Sequence, residues 1–268
     1  MNTFKEIIHD HIAFRGQILK LAKSDIVKTY RGAALGWAWA VIRPATTIFV
    51  FWFAFTVGLR GGKPINGYPF FLWLIAGFTP WFYMRDTLTN GAGAIRRYHF
   101  LVKRIKFPVD TIPTFVSLGN FLTNLVLQVI MIAIIIGFGY RPTIYYLQLP
   151  LYWLMMVVFF TWWGLFSSML SCISKDFLNL VKSMTQPLFW LSGIVYDASR
   201  IHYNWIREIL LFNPVTQIAN GFRNSLVYHR WFWETPVELR NYCIVTVIMA
   251  LLAVWAYRKL KKEIPDVL

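Results

Sequence analysis

Apolar residues in this chain gather into long blocks, without the two-residue alternation of half-buried strands. Six blocks, at residues 36–59, 69–95, 112–138, 149–173, 180–196 and 242–257, approach or exceed the ~20 residues that a helix needs to cross a bilayer. The pattern predicts an all-α integral membrane protein with six transmembrane helices. The second block is purely apolar only as far as Met84, so its helix must run on to Ile95 and carry Arg85 and Asp86 into the inner part of the bilayer. The first block contains Arg43-Pro44, a charge followed by a helix-kinking residue, and Pro187 and Gly193 weaken the fifth. Ahead of the first block, Phe4, Ile7, Ile8, His11/Ile12, Ile18, Leu19, Ala22 and Ile26 interleave with Lys5, Arg15, Lys20, Lys23 and Lys28. That spacing fits an amphipathic helix lying on the membrane surface, with a helix packed toward a soluble partner as the other reading. Residues 197–241 hold partly apolar stretches at 201–212 and 215–228, divided by Asn213-Pro214 and too short or too polar to cross singly. Two short re-entrant helices in one leaflet fit, provided protein or water covers their ends.

Composition agrees: 57% of residues are hydrophobic and 15% charged, against about 25% charged in a soluble domain. The net charge of +15 does not signal nucleic-acid binding, because there is no separate soluble basic domain to carry it. Of the 27 bases, eighteen fall on the side of the two termini and eight on the other, with Arg43 inside the first block. The richer side is cytoplasmic by the positive-inside rule, which puts both termini inside and the re-entrant segment outside. Charges interrupt residues 1–31 throughout, unlike a cleavable signal peptide. Cys172 and Cys243 occupy separate blocks and read as small buried thiols without a disulfide. Most of the tryptophans read as interfacial-belt and packing residues, and a minority as sugar-stacking positions along a path.

The twelve acids all fall at block edges or in loops, and Asp86 alone is a candidate for the membrane interior. Ion-driven transporters usually carry an intramembrane carboxylate to bind the ion. There is also no G-x-x-x-x-G-K-[ST] phosphate loop, since residues 60–64 lack the spacing. Any transport would therefore draw its energy from another chain. His202 and His229 share the outer segment with Asp197, Glu208, Glu234 and Glu238, a set that a membrane-bound glycosyl- or phosphotransferase could use. No H-x-x-x-D, H-E-x-x-H or D-x-D spacing supports that, and the acids serve equally as partners for Arg200, Arg207, Arg230 and Arg240. No catalytic residue and no metal ligand is assigned.

Two groups of residues stand out. In the cytoplasmic loop, Arg96, Arg97, Tyr98, Lys103, Arg104, Ile105, Lys106, Phe107 and Pro108 mix bases with apolar side chains at roughly helical spacing. Solvation alone would need only the bases, so the segment either docks on a partner or lies on lipid. Arg43 and Asp86 fall about 10 and 12 Å from the inner ends of their helices. They form an intramembrane pair, or else Arg43 snorkels to the headgroups while Asp86 pairs with Arg85.

Several segments resemble the type-2 ABC exporter permeases of bacterial polysaccharide export: Leu35-Gly36-Trp37-Ala38-Trp39 leading to Pro44, Gly77-Phe78-Thr79-Pro80-Trp81-Phe82, Phe107-Pro108, Lys175-Asp176-Phe177 and Asn213-Pro214. Within that family, residues 58–64 and 228–234 look most like the teichoic acid translocation permeases of Gram-positive bacteria, with capsule and O-antigen permeases as the alternative. Lys175 departs from the arginine of many relatives, which keeps the cation and loses a bidentate contact. The resemblance covers nearly the whole chain and implies one permease domain over residues 1–268. Within it, 1–31 would be the interfacial helix, 36–257 the six-span bundle and 258–268 a cytoplasmic tail. It implies a plasma-membrane homodimer working with two copies of a separate ABC ATPase, which would hold the ATP and Mg, so this chain needs no cofactor. The segment around Arg96–Phe107 would be the coupling helix. Ile201, Trp205, Phe212, Asn213 and Pro214 would belong to outer gating helices. The cargo would be a polymer on undecaprenyl diphosphate, moved from the inner to the outer leaflet.

Overall fold

The computed structural model describes residues 3–32, 34–60, 64–105, 107–198 and 201–264. Among them, regular structure is helical apart from one isolated antiparallel bridge, Ile65 to Tyr68. The amphipathic segment forms two helices, α1 (Thr3–Ala13) and α2 (Arg15–Tyr30), because Phe14 leaves the helical region at φ −99°, ψ 11°. Ile7, Ile18, Ala22 and Ile26 are buried while Phe4, Ile8, Ile12 and Leu19 point outward. This surface is thus apolar on two sides, one of them turned into the protein.

A 3₁₀ turn at Gly36–Ala38 leads into α3 (Trp39–Phe53), continued by a π-helical stretch, Ala54–Arg60. The centre of the molecule is α4 (Phe70–Ala92), in which Phe70 and every residue from Leu72 to Met84 is buried. A helix apolar around its whole circumference must be enclosed, and α4 is enclosed by α7 (Thr111–Gly137), α8 (Leu149–Ile173) and α9 (Lys175–Leu191). Glycines let α4 and α8 cross closely: a Cβ placed on Gly91 would lie 3.2 Å from the Gly164 Cα. Between α4 and α7 lie the short helices α5 (Ala94–Arg97) and α6 (His99–Ile105).

The fifth apolar block differs from the expected bounds of 180–196. Its helix starts at Lys175, where the Ser174 hydroxyl caps the Phe177 amide, and stops at Leu191, just before Gly193 turns left-handed at φ +66°. Local capping and a glycine turn set these limits, and hydropathy senses neither. Beyond them lie α10 (Asn204–Leu210) and α11 (Pro214–Arg223). The Asn213 side chain accepts from the Val215 amide at 2.9 Å and Pro214 takes the first helical position, so Asn-Pro starts α11 as it divides the segment. The chain ends in α12 (Pro236–Leu260).

Among the described residues, four helical segments are long and apolar enough to cross a membrane by length and composition: Gly36–Gly58, Thr111–Gly137, Ile144–Ile173 and Pro236–Leu260. The two ends of the chain meet, since the Lys261 ammonium lies 2.7 Å from both Glu6 carboxylate oxygens. Both cysteines are free; Cys172 is buried, whereas Cys243 is exposed on α12 rather than buried as its apolar block suggested.

Candidate functional site

A cavity of about 300 Å³ opens where α2, α3, α4 and α7 meet. Arg43 reaches it from α3, Arg85, Asp86 and Asn90 from α4, Arg97 from α5, and Asp25 from α2. Asp86 bonds its neighbour: Arg85 Nε lies 2.8 Å and a terminal guanidinium nitrogen 2.7 Å from Asp86 Oδ1. Arg43 lies across the cavity with its guanidinium 5.4 Å from the Trp39 ring centre, and no ion pair within 4 Å joins it to a carboxylate among the described residues. The two residues singled out from the sequence therefore share one chamber, with Arg85 in the position of direct partner.

Helix α7 carries a polar ladder, of which Asn120 and Asn124 line the cavity. Ser117, Asn120, Asn124 and Gln128 follow at steps of three and four and face α4. Tyr83 Oη and Ser117 Oγ lie 2.7 Å apart, Asn120 donates to Thr87 Oγ1 at 3.1 Å, and Asn124 donates to the Thr79 carbonyl at 2.8 Å. Gln128 donates to Asn124 Oδ1 at 2.9 Å. In an apolar surrounding each of these groups needs its partner, so the ladder fixes α7 against α4 and polarises the chamber wall. Sequence reading passed over these residues because each sits alone among apolar neighbours; their helical spacing is the signal that exposes them.

The loop between α4 and α7 turns most of its side chains inward. Arg96 donates to the Ser171 carbonyl and, at 2.7 Å, to the Cys172 carbonyl, capping the end of α8. Arg97 donates to Asn90 Oδ1 at 2.9 Å. The Tyr98 hydroxyl donates to Asp25 on α2, and burial together with that carboxylate raises the Tyr98 phenol. Phe107 is buried edge-on to Phe14 with ring centres 5.4 Å apart. Leu101 and Val102 are buried and Phe100 half-buried, so the apolar residues that suggested an external partner press mostly on the chain's own helices. Outward remain Arg97, His99, Lys103 and Ile105, with Pro108 half-exposed. Lys106 lies outside the described residues, and the Arg104 side chain is likewise not described.

At the other end of the bundle, Trp205 and Phe212 are exposed, Ile201 is half-buried, and Asn213 ties α11 back by donating to Ser192 Oγ at 2.9 Å. The group that holds this end is Arg223, which the sequence reading had counted only as an outer base. It is 1% exposed, with its guanidinium carbon 3.6 Å from the Trp73 ring centre. It donates to the Gly193 carbonyl at 2.9 Å and the Ile194 carbonyl at 2.5 Å. The expected pairing of outer bases with acids differs at two positions: Arg207 donates to Asn204 and Arg240 to Asn241. His202 is exposed while His229 contacts the Tyr68 hydroxyl at 3.0 Å, and among the described residues no His, Cys, Asp and Glu cluster could hold a metal ion.

An all-helical apolar bundle with a polar chamber on it is the build of an integral membrane protein. Residues 16–227 match the family model of the ABC-2 type transporter, and the chain belongs to that family. Among its relatives, it is 25% identical over 255 residues to the O-antigen export system permease protein RfbA of Myxococcus xanthus, covering 94% of this chain and 96% of that protein. An RfbA of Klebsiella pneumoniae is 21% identical, with 94% of each chain covered. The polysialic acid transport protein KpsM of Escherichia coli is 21% identical over 84% of this chain and 85% of its own.

Proposed function

We propose that this chain is the transmembrane subunit of an ATP-driven exporter that carries a lipid-linked glycopolymer across the bacterial plasma membrane. The observation that carries the reading is the nearly end-to-end similarity to permeases named for O-antigen and polysialic acid export. The polymer has two candidates. The segments around residues 58–64 and 228–234 favour teichoic acid on undecaprenyl diphosphate, whereas the named relatives favour an O-antigen or capsule chain. A phosphate-bearing headgroup cannot enter hydrocarbon unaided, and the chamber beside α3 offers it charge and hydrogen-bond donors.

In this reading the chain is one domain that acts as a homodimer, and two copies of a separate ATPase hold the ATP and Mg. The spans are the four apolar segments together with α4 and α9, whose 23 and 17 residues run about 34 and 26 Å. The contact of Glu6 with Lys261 supports placing both termini on one side, and the basic loops make that side cytoplasmic. Helices α1 and α2 lie at the inner surface, α6 meets the ATPase through His99, Lys103 and Ile105, and α10–α11 form the outer gate.

Reconstitution with the ATPase encoded beside this chain tests the proposal. ATP hydrolysis should require both chains, and labelled lipid-linked polymer should appear on the far side of the vesicle. Lipid-linked sugar turned over by this chain alone would sink the reading in favour of a transferase.

A further inference from the structure

The polar chamber does not end at its apolar edge. It shares Pro44, Phe82 and Leu127 with a second cavity of about 180 Å³ that runs outward between α3, α4 and α7. That cavity shares Phe49 and Phe71 with a third, of about 320 Å³, which reaches Thr56 and Phe138. The three cavities follow one another as a half-open groove along α3 and the π-helical stretch after it, from Arg43 to Thr56. Pro44 to Thr56 covers twelve helical steps, about 18 Å. One end of the groove is charged, and apart from Thr79 and Thr56 the rest of its lining is hydrocarbon, aromatic ring or proline.

The charges at the head end are not balanced. Arg43, Arg85 and Arg97 face Asp25 and Asp86. Arg85 holds Asp86, and Tyr98 donates to Asp25. Arg97 donates to the neutral Asn90 amide, and Arg43 rests on the Trp39 ring. Two guanidinium groups therefore meet the chamber without a carboxylate within ion-pair reach among the described residues. Both side chains are exposed and so within reach of a ligand, and guanidinium groups bind phosphate oxygens through paired, charge-assisted hydrogen bonds.

From this juxtaposition we propose that the α3–α4–α7 groove is an inner-leaflet binding site for a polyprenyl diphosphate lipid. The diphosphate sits between Arg43 and Arg97, and the first isoprene units lie along Pro44, Phe49 and Phe71. The inference rests on the reading of the chain as an exporter of a lipid-linked polymer, and it adds where the anchor is held. One polyprenyl chain is the proposed occupant, and a two-chain glycerophospholipid is the competitor to be excluded. All the lining residues named come from one copy of the chain.

The test is binding of undecaprenyl diphosphate to the full-length chain in lipid nanodiscs, read by native mass spectrometry. Arg43→Gln should weaken binding about tenfold and Arg43→Lys less, as for loss of one charge-assisted contact. Ala45→Trp, at an exposed position lining the groove, should block the tail and weaken the lipid about tenfold while leaving inorganic diphosphate unaffected. Unchanged lipid binding in Arg43→Gln and Ala45→Trp would overturn the site, as would equal displacement by phosphatidic acid. Export by the wild-type complex is scored separately. Export that persists in both variants at an unchanged KM for lipid rejects the site and leaves the transporter reading standing. Lipid that binds as described to a complex that exports nothing rejects the transporter reading alone.

Discussion

Arg223 is buried among apolar side chains, yet two backbone carbonyls and an indole face surround its guanidinium. The carbonyls of Gly193 and Ile194 lie in the turn after α9, and the indole belongs to α4, so one side chain of α11 ties three elements together. Room for it comes from Gly77, where an added Cβ would lie 2.5 Å from a guanidinium nitrogen. Gly77→Ala should therefore lower the thermal midpoint of the detergent-solubilised protein by an amount equivalent to about 1–3 kcal/mol, the ordinary cost of overpacking. In an Arg223→Leu background the same substitution should cost less, and a double-mutant cycle reads the difference; additive effects would show that the two sites are independent.

His11 supplies a second single-residue prediction. Burial pulls its imidazole down, but Asp110 Oδ2 at 3.4 Å and the Ile7 carbonyl at 2.7 Å outweigh burial and leave it raised above its usual value. A raised imidazole contributes stability below its unfolded value of about 6.5, and that stability is lost as pH rises through the folded value. Protection of the α1 amides, corrected for intrinsic exchange, should fall across that window, and the fall should be absent in His11→Phe. A flat profile in the wild type would remove the assignment.

At the scale of elements, the segment from α5 to the start of α7 divides into an inner and an outer face. Arg96 closes α8, Tyr98 fastens α2, and Phe107 fills the space beside Phe14. Phe107→Ala should thus behave as a core truncation of about 3–5 kcal/mol and reduce the yield of folded protein. Ile105 is 62% exposed, and Ile105→Asp should leave the midpoint within about 0.5 kcal/mol while abolishing co-purification of the ATPase. If Ile105→Asp retains the ATPase, α6 is not the contact. This division was illegible in the sequence, where Ile105 and Phe107 are two apolar residues two positions apart. By contrast, Asn213-Pro214 was readable as a break and Pro69 as a start, because caps and prolines act through the local backbone.

At the scale of the whole molecule, the six-span arrangement predicts a labelling pattern. In a background lacking Cys172 and Cys243, a membrane-impermeant maleimide added to intact cells should label Arg141→Cys. Lys103→Cys and Lys262→Cys, all three being exposed positions, should react only after permeabilisation. Labelling of Lys262→Cys from outside would remove both the span count and the orientation.

The sequence by itself determined that the chain is helical and membrane-embedded, roughly where the second, third and fourth apolar helices start and stop, and that no phosphate loop spacing occurs in it. These properties depend on composition, apolar run length and local capping, all of which are linear in the chain. Tertiary structure alone decided that α4 is the enclosed centre and that Arg85 rather than Arg43 holds Asp86. It also decided that Arg223 is a buried tie and that three cavities follow one another beside α3. Each of these depends on which faces of distant helices meet, and a helix of mostly apolar residues carries little periodic signal to say which face turns inward.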